Sequence, residues 1–165
     1  LLLLFIFIVP IHKVIPSELR TSAPFCTKNP VFCQIIRNNP KIDINYAYRL
    51  SNVINKVAVE LDLNPKKYAA ILAQESMYKL DAKNCLDNEC HDFGIAQINK
   101  STIKAFKLDK KKLLTNLEYS VKAGAVVLAD FKRMYGKKET DFWTRYNTSS
   151  PEKRQKYKQL VTRYL

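Results

Sequence analysis

Two helical periodicities run back to back between Ala47 and Ser76, and they constrain the fold more than any other stretch. Ala47, Leu50, Ile54, Val57, Ala58 and Leu61 repeat at helical spacing. After a short Leu-Asp-Leu-Asn link, Tyr68, Ile71, Leu72 and Glu75 fall at i, i+3, i+4 and i+7. Asn64 suits a helix cap, and Pro65 suits the first helical position. The spacing therefore predicts two helices meeting at a tight turn, each with an apolar face to bury. Glu75 stands out because it puts a carboxyl group on that apolar stripe, near the end of its helix. Lost hydration raises a carboxyl pKa. A Glu kept protonated near neutral pH can serve as a general acid. The plainer alternative is an exposed Glu at a frayed helix end.

The rest of the chain reads as helical too. Ser101 or Thr102 can cap a helix through Phe106, and Lys110-Lys111-Lys112 reads as a solvated loop. Thr115-Asn116-Leu117-Glu118 has the form of a capping box. It opens the longest helix, to about Tyr135, with Gly136 placed to end it. Leu117, Val121, Ala125, Leu128 and Phe131 form its buried face. Gly124 inside that helix costs stability, so a close helix–helix approach is expected there. Asp141 to Tyr146 can form a short helix, and Pro151 starts the last one, with Tyr157, Leu160, Val161 and Tyr164 on one side. With only 3 glycines and no sustained strand alternation, the expected class is all-α, with at most a small β-hairpin or loop near residues 86–98.

Leu1 to Val9 is wholly apolar. It is too short to span a bilayer and fits the hydrophobic region of an export signal. Thr21-Ser22-Ala23 supplies small residues for cleavage, while Lys13 and Arg20 would equally suit a short anchor. Residues 1–23 are read as export signal or anchor, with a buried N-terminal strand as the other possibility. Pro24, Pro30 and Pro40 punctuate a linker-like stretch over residues 24–41, with room for a short helix from Val31 to Arg37. The compact domain is expected over residues 42–165. Cys26, Cys33, Cys85 and Cys90 form an even set behind an export-like segment, which suggests disulfides. Local pairing, Cys26 with Cys33 and Cys85 with Cys90, is the simplest connectivity. Zinc is the rival, because His91 adjoins the second pair. The other histidine, His12, lies in the apolar segment, so no metal site is expected. A Cys85–Cys90 bond would staple the loop between Glu75 and Gly94.

Glu75-Ser76, then Gly94-Ile95-Ala96-Gln97-Ile98, then Tyr146-Asn147, in that order with helices between, resemble the motifs of the soluble lytic transglycosylase family. The similarity runs from about Ala47 to the C-terminus. His91 to Asn99 is especially similar to the small transglycosylases that accompany secretion, pilus and conjugation machines. The resemblance implies a goose-lysozyme-like fold, with residues 42–165 as the catalytic domain and peptidoglycan glycan strands as the substrate. It implies Glu75 as the single catalytic acid and base, cleaving between N-acetylmuramic acid and N-acetylglucosamine and leaving a 1,6-anhydro end. No cofactor enters that chemistry. The resemblance also gives Ser76 as a residue orienting Glu75 or a sugar, and Gly94 as a close backbone approach. Gln97 becomes a partner for an N-acetyl group or for Glu75. Tyr146 becomes a ring on the cleft with its hydroxyl facing the acid, and Asn147 ties the following turn. Ala96 stands where many relatives have Met, and Arg145 stands where many have Ala.

Charge fits this setting. Lys plus Arg number 28 against 15 Asp plus Glu, a net +13. A basic surface suits an anionic partner. No nucleic-acid signature is visible, whereas the cell wall is anionic; the excess is otherwise incidental to an AT-rich coding sequence. An export segment with paired cysteines points to the periplasm or envelope, or to a phage virion. Two other classes stay open. One is a hydrolase in which Asp92, the best-placed second carboxylate, positions water. The other is a wall-binding assembly module without turnover.

Overall fold

The computed structural model describes residues 23–165; the proposed export signal or anchor therefore lies, but for Ala23, outside the described residues. Among the described residues the helices are α1 (Ala23–Lys28), α2 (Pro30–Asn38), α3 (Ile44–Glu60), α4 (Pro65–Ser76), α5 (Lys100–Ala105), α6 (Lys110–Thr115), α7 (Leu117–Tyr135) and α8 (Pro151–Thr162). A 3-10 turn spans Phe142–Tyr146. Three strands, β1 (Lys83–Leu86), β2 (Glu89–Phe93) and β3 (Ile98–Asn99), make an antiparallel sheet in the order β1-β2-β3. The mainly helical class is as the sequence predicts, and the hairpin region is a small sheet.

Helix α4 is the axis of the domain. Asn64 caps it by accepting from the Lys67 amide at 2.9 Å, and Pro65 occupies its first turn. Its middle is buried on every side: Tyr68, Ala69, Ala70, Ile71, Leu72 and Ala73 are all in the core. The alanines leave room for close neighbours, so the helix is wrapped and not merely one-faced. Helices α2, α3 and α8 pack against it. Met77, in the left-handed conformation at φ 51°, ends it. Helix α3 is capped by Asp43, which accepts from the Tyr46 amide at 2.7 Å. It buries Ala47, Leu50, Ile54, Val57 and Ala58, the face expected from spacing.

Four local expectations need correction. First, the core begins before residue 42: Val31, Phe32 and Ile35 of α2 are fully buried. Pro24 and Pro30 sit in the first turns of α1 and α2, where a missing N–H costs nothing, and Pro40 sits in the turn between α2 and α3. Second, Lys110-Lys111-Lys112 opens α6, because Asp109 accepts from the Lys112 amide at 3.1 Å. Third, α5 is capped by Asn99 and not by Ser101 or Thr102. Fourth, Asn116 and not Thr115 caps α7, accepting from the Tyr119 amide at 2.9 Å. Both cysteine pairs are disulfides, Cys26–Cys33 and Cys85–Cys90. The second bridges β1 and β2 just above a turn where Asp87 and Asn88 both have positive φ. Among the described residues no helix is long and apolar enough to cross a membrane.

Candidate active site

A cleft of about 400 Å³ opens between the sheet with α5 on one side and α7 with the 3-10 turn on the other. Glu75, Asp92, Gln97, Asn99, Tyr146 and Asn147 are among its lining residues. Glu75 reaches it from the last turn of α4. Its Oε1 accepts the hydroxyl proton of Tyr157 at 2.5 Å. Burial of the carboxyl group raises its pKa to about 7. The Tyr157 hydrogen bond opposes that rise by favouring the carboxylate, and the charge of Asp92 adds to it. Glu75 is thus poised to carry a proton near neutral pH.

The loop from Gly94 to Gln97 is held against α4 and α6. The Ser76 hydroxyl donates to the Ile95 carbonyl at 2.8 Å. It locks the loop to the helix end and does not bond to Glu75. Gly94 has φ 78°, and a Cβ there would meet the Leu113 carbonyl oxygen at 2.5 Å. The glycine is needed because α6 presses on the loop, a reason different from the expected approach to a sugar. Neither Ser76 nor Gly94 lines the cleft. Gln97 does, in a left-handed backbone conformation at φ 45°. Its side-chain amide donates to the carbonyls of Gly94 at 2.8 Å and Ala82 at 3.2 Å. The Gln97 carbonyl oxygen is left as an acceptor for a ligand.

Tyr146 lines the cleft, but its hydroxyl donates to the Ala96 carbonyl at 2.8 Å. The phenol bonded to the acid is Tyr157, which spacing on α8 assigns to the core. That assignment is half right: the ring is buried, with 3% exposed. A buried phenol needs a hydrogen-bond partner, and this was the available signal. Nothing local in the sequence says that the partner is Glu75. Gly124 on α7 lets these groups gather. A Cβ there would meet Ala96 Cβ at 2.5 Å, the Tyr68 hydroxyl at 2.6 Å and the Tyr146 hydroxyl at 3.3 Å. The close approach expected at Gly124 is therefore to a loop and two phenols. Asn147 lies on the cleft wall. Asn99, Thr102 and Val127 also line it and carried no signal as site residues. Among the described residues no His, Cys, Asp or Glu group could hold a metal ion.

A helical body, a small sheet beside it and a buried carboxyl group in the cleft between them are the layout of a lysozyme-like domain. Residues 52–162 match the transglycosylase SLT domain, and the chain belongs to this family of lytic transglycosylases, whose substrate is peptidoglycan. Peptidoglycan lies outside the cytoplasm, and so does the work of this domain. No curated protein shows significant similarity to the chain.

Proposed function

We propose that Glu75 is the single acid and base of a non-hydrolytic cut between N-acetylmuramic acid and N-acetylglucosamine. The observation that carries this reading is the Glu75 carboxyl group, buried in the cleft with a pKa near 7. In the first step Glu75 gives its proton to the glycosidic oxygen as the C1–O bond breaks. The N-acetyl group of the same sugar shields the oxocarbenium-like centre. The Glu75 carboxylate, steadied by Tyr157, then takes the proton of the C6 hydroxyl. O6 closes on C1, a 1,6-anhydro end forms, and Glu75 is protonated again. No water is consumed, and no second carboxylate moves a proton. Gln97 offers its carbonyl oxygen to the N-acetyl N–H, and the Tyr146 ring and Asn147 flank the saccharide.

Asp92 supports a second reading, since it lines the same cleft. There it would orient water onto C1, and the product would be a reducing end. Mass spectrometry of purified peptidoglycan after digestion separates the two. Anhydro-muropeptides are expected; reducing ends alone would make the protein a hydrolase. Export to the periplasm or envelope is part of the proposal, supported by the N-terminal apolar run and the two disulfides. The resemblance of His91 to Asn99 to machine-associated transglycosylases supports local wall opening for such an assembly.

A further inference from the structure

Asn84, Asp92 and Asn99 form one row across the sheet. Asn84 pairs with Asp92 between β1 and β2, and Asp92 pairs with Asn99 between β2 and β3. The Asn84 side-chain amide donates to Oδ2 of Asp92 at 2.9 Å, and that of Asn99 donates to Oδ1 at 2.9 Å. Both carboxylate oxygens are thus held, each by a neutral donor. Among the described residues no Lys or Arg forms an ion pair with Asp92. Lys100, which follows Asn99, pairs instead with Glu89. The row is further stiffened by the Cys85–Cys90 bond next to it. A carboxylate that is fixed in direction, not neutralised, and set on a cleft wall is an electrostatic device. Asp92 is half-buried on the cleft wall, and a glycan that displaces water from the cleft would make its charge act more strongly than in solvent.

We propose that Asp92 is the fixed negative charge that stabilises the positive anomeric carbon produced when Glu75 protonates the leaving oxygen, with Asn84 and Asn99 as its positioning residues. Asp92 forms no bond and moves no proton in this role. The role rests on the reading of Glu75 as the acid, and it holds for an anhydro or a reducing product, since both routes pass through the same cation. The charged and titratable groups facing Glu75 come from three elements: Asp92 from β2, Tyr146 from the 3-10 turn and Tyr157 from α8. Asp92 is the acidic one that Glu75 feels across the cleft.

The test is Asp92→Asn in the folded, oxidised protein, assayed by muropeptide release across pH, beside wild type and Glu75→Gln. The expected result is a kcat loss of about a hundredfold with KM within about threefold, the size of one lost transition-state contact. The basic limb of the pH–rate profile should also move to lower pH, because a negative charge facing Glu75 is gone. A purely structural Asp92 would lower the melting temperature and leave kcat at the pH of maximal rate within about threefold of wild type. Asp92→Ser gives the same readings if the Asn variant does not fold. Turnover within about threefold of wild type at the pH of maximal rate, while Glu75→Gln is inactive, overturns this inference alone. Active Glu75→Gln, or no release by wild type, takes the reading of Glu75 down with it.

Discussion

The Tyr157 hydroxyl donates to Glu75 Oε1 at 2.5 Å, joining α8 to the end of α4 across 82 positions of sequence. Burial and this hydrogen bond pull the Glu75 pKa in opposite directions, and burial is the larger influence. The outcome, about 7, suits a group that must first give a proton and later take one.

Tyr157→Phe keeps the buried ring and removes the donor. The carboxylate formed after proton transfer loses its partner, which costs ~1.5–3 kcal/mol, or tenfold to a hundredfold in rate. Because the hydrogen bond favours the charged form, its loss raises the Glu75 pKa further. The basic limb of the pH–rate profile should therefore shift upward from about 7. A slower enzyme with a limb at higher pH is expected from initial rates on purified peptidoglycan; a limb that moves down would contradict the assigned direction.

Glu75→Gln should abolish turnover and change stability in a pH-dependent way. The folded pKa, about 7, lies above the ordinary glutamate value of 4.5. Between those values the native state binds more protons than the unfolded state, so stability falls as pH rises through this window. Above pH 7 the buried carboxylate carries the full cost, ~2–3 kcal/mol after allowance for its partial exposure. Gln carries no such charge. The variant should melt above wild type at pH 8 and close to it at pH 4.5. Equal melting temperatures at both pH values would mean that Glu75 is not desolvated.

Much of this was legible in the sequence, for identifiable reasons. The core face of α3 and the capping of α4 by Asn64 are local features, and local patterns report them. Glu75 betrayed itself by placing a charge on an apolar stripe. The helix from Val31 to Arg37 was legible, but Pro24, Pro30 and Pro40 resemble linker punctuation, and only the contact of α2 with α3 and α4 shows it to be core. The roles of Gly94 and Ser76 were legible as special positions but not in kind. Their reasons are the Leu113 carbonyl and the Ile95 carbonyl, partners 19 positions away in each case. Asp92 was the best-placed of several loop acids, beside the Gly94 motif, but only strand register puts it between two asparagines.

Tyr146→Phe separates the two phenols of the site. Resemblance alone places the Tyr146 hydroxyl toward the acid, which would make the substitution strongly inactivating. The hydroxyl instead holds the Ala96 carbonyl. Its loss leaves a buried carbonyl unpaired, at ~1–2 kcal/mol. The melting temperature should fall by about 2–8 °C, and activity by less than tenfold. Thermal melts and initial rates decide it. A large rate loss with an unchanged melt would put the hydroxyl back in the catalytic step.

The two disulfides should divide stability and activity between them. Cys26–Cys33 ties α1 to α2, whose Val31, Phe32 and Ile35 are in the core. Cys85–Cys90 closes a hairpin whose first strand is exposed along its whole length. By chain entropy each short loop contributes about 2 kcal/mol. The effect is felt globally only where the linked segment unfolds with the core. An exposed hairpin opens on its own, below the global transition. Cys26→Ser with Cys33→Ser should therefore lower the melting temperature by several degrees and leave the rate nearly unchanged. Cys85→Ser with Cys90→Ser should barely change the melt. It should slow turnover about tenfold or more, because the row holding Asp92 is loosened next to the missing bond. Calorimetry and muropeptide release on both double variants give the comparison. The reverse pattern, with activity lost from the first pair and stability from the second, would show that the hairpin belongs to the cooperative core and that α2 shapes the cleft.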